Sequence, residues 1–357
     1  MAERAPASVG VTAERRGRRS NQKGPGALLG SVVILGKPTE TNCALAAAFA
    51  GLGHRAHVSE ATASPPLRRG DVAIARLDVL PTLDGIEPGL SRLSWLERRG
   101  VQMINGAPAL LAAHDKLATT LLLAWAGVSQ PRTAYVCEPS VPSFPGPYVV
   151  KPRFGSWGRD VYRCGDEDEL WRRLHTLRDR RWFQRHGALV QSLIEPTGRD
   201  LRVVVAAGRV VGAVERHALP GEWRANVSLG AVRRSVTASA EARVLALRAV
   251  AALGSDLAGV DIVSDEEGRS YVLEVNGAVD FNDSYGNEIF ATVATALLEE
   301  AALRTHSTRR RSTVGALGTP LRLRAGEAAS RANAEEILVA LRASAFLDAR
   351  ANRPSFA

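Results

Sequence analysis

The chain has 357 residues, 45% apolar and 23% charged, which describes a soluble globular protein with room for two or three domains. It holds no apolar run long enough for a transmembrane helix, and its three scattered cysteines (Cys43, Cys137, Cys164) exclude a CxxC zinc site and a disulfide framework. The net charge of +9 belongs to the ends: residues 1–30 carry six Lys/Arg against two acids and residues 304–357 ten arginines against four acids, so the body is close to neutral.

In chain order, residues 1–29 are rich in Ala, Arg, Ser and Gly and are expected to form a disordered basic tail. Arginines without interleaved aromatics suit solvated ends rather than a specific nucleic-acid groove. ERRGRRSNQK before GALLGSVVILG is faintly like a twin-arginine export signal. SVVILG lacks a small-residue cleavage site, however, and reads as a buried first strand. A helix is predicted from Thr41 to Gly51, with Thr39 or Thr41 as N-cap and Gly51 or Gly53 as its stop. HRAHVSE (54–60), DVAIARL (71–77) and VQMING (101–106) are further strands, with a helix over 89–100. This alternation predicts an α/β domain with a parallel sheet over 30–107.

From Pro108 the pattern predicts one helix ending at Gly127. The Pro-rich CEPSVPSFPGP (137–147) reads as a loop between lobes. YVVKP (148–152) is a strand that runs into RFGSWGRDV, and a charged helix follows over 166–180 with its acids first, as the macrodipole prefers. Strands are predicted over 188–194 and 199–218, the second turning at Ala207-Gly208, and Ser239 opens an amphipathic helix. A helix over 290–304 closes the body. The expected domains are 30–107, 108–190 and 191–304, with a basic linker and an appended helix (334–347) making up 305–357.

LAGVDIV (257–263) and SYVLEVN (270–276), joined by a polar turn, predict a hairpin. Residues two apart in a strand share a face, so Glu274 and Asn276 point the same way, and antiparallel pairing can bring Asp261 opposite them. Two carboxylates and a carboxamide suit a hard cation such as Mg²⁺, which proteins usually hold together with substrate phosphates. The plainer alternative is a hairpin whose carboxylates meet water. Gly155, Ser156 and Gly158 follow the strand that presents Lys151. Glycines let backbone N–H groups approach phosphate oxygens, and a lysine adds a point charge. The spacing is not that of a P-loop, and by itself the segment could be a tight strand–loop connection. Arg202 shares a face with Asp200, Arg216 ends the next strand, and Arg224 and Asn226 follow in GEWRANVSLG. Converging guanidiniums suit phosphate or carboxylate recognition, whereas any one arginine taken singly reads more simply as a surface ion pair.

The order lysine–glycine loop, hinge strand, Asp-x-Arg, Arg…Arg-x-Asn, Asp…Glu-x-Asn resembles the ATP-grasp superfamily, and within it the RimK-like carboxylate–amine ligases. The resemblance covers residues 100–300. EVNGAVDF and KPRFGSWGR are most similar to the glutamate ligases that act on amino-group carrier proteins in lysine and arginine biosynthesis. The resemblance implies an α+β ATP-grasp fold, with an N-terminal parallel-sheet α/β domain and two lobes that sandwich ATP. It implies that Lys116 and Lys151 hold ATP phosphates beneath a lid formed by Gly155 to Gly158, with Ser156 in it. Ser192 and Leu193 would lie at the hinge against adenine, and Asp200 would bond the ribose. Arg202, Arg216, Arg224 and Asn226 would bind the γ-phosphate and the carboxylate to be activated. Asp261, Glu274 and Asn276 would hold one or two Mg²⁺ or Mn²⁺ ions. The family's hinge often carries a Glu where this chain has Ser192, which bears on nucleotide affinity or base choice rather than on the fold.

The implied activity is ATP-dependent joining of a carboxylate to an amine, with glutamate added to a small-molecule or carrier-protein carboxylate. A carboxylate is a poor electrophile. Phosphoryl transfer from ATP makes an acylphosphate with a good leaving group, and the amine then attacks; the protein supplies positioning and charge neutralisation. No protein nucleophile is expected. Two other readings stand beside this one: modification of a ribosomal peptide, with the 334–347 helix as leader-binding surface, and a catalytically silent nucleotide-binding protein. The expected setting is the cytoplasm, with no membrane or specific nucleic-acid partner and with homo-oligomers allowed.

Overall fold

The computed structural model describes residues 30–63 and 66–313. The expected tail at 1–29 and the appended helix at 334–347 lie outside the described residues. The first sheet is built from β1 (Val32–Leu35), β2 (Ala56–Ser59), β3 (Val72–Ala75) and β4 (Gln102–Ile104), all parallel, in the order β2-β1-β3-β4. α1 (Glu40–Gly51) and α2 (Leu90–Arg98) connect them. β1 and β3 are buried along their whole length, which is why their sequences lack the apolar–polar alternation of a one-sided strand. Of the two caps the sequence offered for α1, Thr39 is used; its hydroxyl accepts the Asn42 N–H.

The single helix expected from Pro108 to Gly127 is in fact two, α3 (Ala107–His114) and α4 (Lys116–Trp125). Asp115 breaks it: its backbone is extended and its carboxylate accepts the N–H groups of Leu117 and Ala118. Arg153 fixes that conformation by gripping both carboxylate oxygens, at 2.8 and 2.6 Å. Apolar periodicity is blind to such a break, because an aspartate inside a helical pattern is merely unfavourable until a partner makes it a cap.

The second sheet is antiparallel. It comprises β5 (Thr133–Val136), β6 (Tyr148–Pro152), β7 (Tyr162–Cys164) and β8 (Ala188–Ser192) in the order β5-β8-β6-β7. α5 (Glu167–Leu177) is capped by Asp166 and buries Leu170, Leu174 and Leu177. With α6 (Arg181–His186) it covers Tyr148 and Val150, giving this lobe a core of its own.

The third sheet carries the carboxylates. Its order is β11-β10-β9-β12-β13, from β9 (Arg199–Ala206), β10 (Arg209–His217), β11 (Val232–Ser235), β12 (Leu257–Ser264) and β13 (Ser270–Asn276). α7 (Ala240–Ala252) shares a core with Val203, Val205 and Val260 of this sheet and with Ala112, Ala113 and Leu123 of α3 and α4. α8 (Ile289–Thr313) packs on the other face, where Val293 and Leu297 join Val204 and Val214 to Ile34, Leu45 and Phe49 of the first domain. The first sheet and the third lobe therefore share one core. Asn105 pins the junction from a left-handed conformation (φ 56°). It donates to the carbonyls of Leu257 and Gly277, at 2.6 and 3.0 Å, and accepts the N–H groups of Asp256 and Leu257. Among the described residues no helix is long and apolar enough to cross a membrane.

Candidate active site

The β12–β13 hairpin sets Asp261 opposite Glu274, after which the ladder slips: Ile262 faces Val272, leaving Leu273 as the extra residue of a bulge. A bulge of this kind re-aims its neighbours, and the Leu273 carbonyl turns toward Lys151, whose ammonium lies 3.4 Å away. Lys116 ties three segments together. Sitting at the start of α4, its ammonium is 3.0 Å from the Glu274 carboxylate and donates to the Gly155 carbonyl at 2.6 Å. Burial pushes the Glu274 carboxyl upward, but the charges of Lys116, Lys151 and Arg202 together outweigh it and the carboxyl is held below its ordinary value. Asn276 lies two residues further along the same face, 3.5 Å from the Gly259 carbonyl.

Strand register lines up a ladder of alternating charge. Asp200 is opposite Arg216, and Arg202 is opposite Asp261. Arg202 donates to both Asp261 oxygens at 2.6 Å, and Arg216 reaches the same carboxylate at 2.8 Å while its Nε donates to Asp200 at 2.6 Å. Asp261 is 3% exposed. Burial alone would raise its carboxyl, but two guanidiniums prevail and hold it well below the usual carboxylate range. Burial prevails at Asp200, whose carboxyl is pushed up. Lys151 differs from these groups. It is 7% exposed, and among the described residues it faces no carboxylate within ion-pair distance. Burial, helped by the charge of Lys116, pulls it down to about 8.

The glycine loop is stapled from one side. Arg224 grips Glu222 and donates to the Gly158 carbonyl at 3.0 Å, and the Ser228 hydroxyl donates to the Trp157 carbonyl at 2.8 Å. Hydrogen bonds from Arg224 hold the Glu222 carboxyl down to about 2. Gly158 has φ 69°, and a Cβ there would stand 2.8 Å from the Asn226 carboxamide oxygen. At the far end, Ser192 and Leu193 face the cleft with their N–H groups spent on the carbonyls of Arg132 and Pro147.

These elements enclose a cleft between the second and third sheets. It is lined by every residue to which the resemblance assigns a nucleotide, metal or catalytic role except Arg202 and Asn276, which line an adjoining cavity with Glu274. Asp200 is bound to Arg216, and Arg224 to Glu222 and the loop. Sequence reasoning missed Trp157, His114 and Arg233. Trp157 stood inside a quoted motif. Arg233 was one of many arginines, and nothing in its spacing set it apart.

The chemistry of the lining fits a triphosphate with a hard cation. A buried ammonium without a counter-charge gains most from an anion, and Asp261 and Glu274 keep lone pairs that their basic partners leave unused. The family model for the RimK-like ATP-grasp domain matches residues 113–299, a span that takes in all of these side chains. The chain belongs to that family. This RimK-like ATP-grasp chain is therefore a ligase that forms carbon–nitrogen bonds, and the family works with ATP and Mg²⁺. It is 34% identical over 219 residues to a probable alpha-L-glutamate ligase of Sodalis glossinidius, covering 59% of this chain and 71% of that protein. It is 28% identical over 256 residues to the tetrahydromethanopterin:alpha-L-glutamate ligase of Methanosarcina acetivorans, covering 62% and 79%. Among solved structures, D-cycloserine synthetase DcsG superposes with a TM-score of 0.59 at 21% identity, covering 76% of this chain and 100% of that one. At that identity the likeness concerns the fold.

Proposed function

We propose that this RimK-like ligase couples the amine of an amino acid to a carboxylate on a small molecule or carrier protein, and that glutamate is the amino acid, as the names of its relatives suggest. One observation carries the reading. Lys151, with no ion pair among the described residues, the Lys116–Glu274 pair and the Asp–Arg ladder converge on one cleft. Residues 30–107 are taken as the N-terminal domain, and lobes 108–190 and 191–304 as the two that close on ATP.

In this reading Lys116 and Lys151 bind the phosphates, and loop 155–158 covers them. Asp261, Glu274 and Asn276 hold one or two Mg²⁺ ions, which would neutralise charge on the transferring phosphoryl group. Arg202 and Arg216 keep Asp261 ionised and oriented, and they present positive charge where the carboxylate to be activated enters. The stapled loop keeps water from the activated carboxyl until the amine attacks. Ser192 and Leu193 contact adenine through the cleft wall. Asp200, held by Arg216, keeps unused lone pairs with which it accepts a ribose hydroxyl.

The test is phosphate release from Mg-ATP across single amino acids, each with and without candidate acceptors, for the wild type and for Glu274→Gln. The variant is expected to lose turnover by about 100-fold or more while keeping its thermal transition, since it removes one charged metal ligand but little volume. Unchanged turnover would overturn the assignment.

A further inference from the structure

Beyond the nucleotide cleft, two further cavities lie in series. The inner one, of about 600 Å³, begins at Glu274, Asn276 and Arg202 and is walled farther out by Asp78 and His114. The outer one, of about 730 Å³, lies between the first turn of α1 and segment 280–283. Trp157, Arg233 and Asp280 line both, so these three side chains form the passage between them. A substrate arriving by this route passes between a guanidinium and a carboxylate.

The cations of the site are not equivalent. Arg202 is spent on Asp261, and Arg216 on Asp200 and Asp261. Arg233 sits opposite Arg216 on β11, at the sheet edge, and makes no ion pair among the described residues. Its Nε is buried with no hydrogen-bond partner. A buried N–H left unpaired is costly, and the planar fork of arginine is matched best by a carboxylate. Asp280 is held in place from the first domain. Arg76, 3% exposed, donates to the Asn42 carboxamide at 2.6 Å and the Val279 carbonyl at 2.7 Å, and stands 3.6 Å from Asp280. That contact leaves the Asp280 side chain 37% exposed, facing the passage. On the inner wall the His114 Nε2 is also buried and without a partner, and burial keeps the imidazole neutral by pulling it down to about 4. The inner cavity thus adds the Asp78 carboxylate, and its other two arginines, Arg202 and Arg216, are already bound to carboxylates.

One unpaired guanidinium and one presented carboxylate match the two charged groups of an α-amino acid. We propose that Arg233 and Asp280 are the specificity clamp for the amine substrate, with Arg233 binding its α-carboxylate and Asp280 its α-ammonium. The clamp rests on the ligase reading and makes it narrower. The amine partner is a zwitterionic α-amino acid that enters through the outer cavity, and a plain amine or an α-amide is rejected.

The test compares an amino acid with its α-carboxamide, glutamate and isoglutamine in the first instance, as amine substrates in steady-state phosphate release. The wild type is expected to favour the acid by about tenfold or more in kcat/KM. Arg233→Met should abolish that preference by raising KM for the acid, while KM for ATP and turnover of the amide stay as they were. Asp280→Asn should raise KM for acid and amide alike. Arg233→Lys keeps the charge but loses the fork, and should retain only part of the preference; it carries the test if Arg233→Met fails to show an ATP-dependent thermal shift. A wild type that turns over both substrates equally, or an Arg233→Met variant that keeps the preference, would overturn the clamp and leave the ligase intact. A wild type that releases no phosphate with any amino acid would overturn both.

Discussion

Lys151 is buried beside another lysine and, among the described residues, forms no ion pair and donates only to the Leu273 carbonyl, a position that an anion relieves. Its folded value of about 8 lies below the ordinary lysine value of 10.5. Between those values the unfolded chain binds more protons than the folded one, so in the ligand-free protein the cost of burying Lys151 is fully present below about pH 8 and fades as pH rises toward 10.5. A bound triphosphate favours the charged form and raises the lysine again. ATP binding above pH 8 should therefore take up a proton at Lys151. Calorimetry at pH 9 in two buffers of different ionisation heat should show uptake approaching one proton, and Lys151→Met should show none. Equal uptake in the variant would place the proton elsewhere. Arg202 and Arg233 teach the complementary lesson. As residue types they are interchangeable in the sequence, yet one is consumed by a carboxylate 59 positions away and the other is left unpaired.

At the scale of elements, the loop between β6 and β7 depends on a close approach. Gly158 combines a left-handed backbone with a contact that leaves no room for a methyl group beside Asn226. Gly158→Ala should push the loop off segment 224–228, where Arg224 and Ser228 hold it. The expected result is a fall in kcat of about tenfold or more with global stability changed by only about 1 kcal/mol, because the loop adds little to any core. Turnover and urea unfolding measured on the same preparation distinguish this from general damage; a loss of several kcal/mol would make the glycine structural. The α3–α4 break belongs to this scale too. The capping Asp115 directly precedes Lys116 in the sequence, but Arg153, which secures it, is 38 residues away.

For the whole molecule, the first sheet and the third lobe share one apolar core that Asn105 pins, whereas the middle sheet keeps its own. The nucleotide cleft thus lies between one larger body and one smaller lobe. Asn105→Ala removes four hydrogen bonds and leaves the Gly277 carbonyl, next to β13, without that partner. It should lower unfolding stability by about 3 kcal/mol. The loss should appear in denaturant titration as an earlier transition for the larger body, with the middle lobe little changed. A loss below about 1 kcal/mol would show that water replaces the clamp without penalty.

Much of this architecture is legible in the sequence, because the information is local. Continuous apolar strands announce a parallel sheet, Thr39 and Thr41 announce a helix start, and two-residue spacing puts Glu274 and Asn276 on one face. The glycine loop after Lys151 and the ordered motifs between residues 100 and 300 identify the ligase family and assemble the cleft lining. Only the tertiary structure decides which charges are spent and which stay available. The pairings of Asp200 with Arg216, Asp261 with Arg202 and Arg224 with the glycine loop are set by strand register and loop placement, and residue type does not encode them. The same holds for the helix break at Asp115 and for the two cavities that meet at Arg233 and Asp280. A side chain's chemistry is written in the sequence, but its partner, and hence its charge balance, exists only once distant segments have packed.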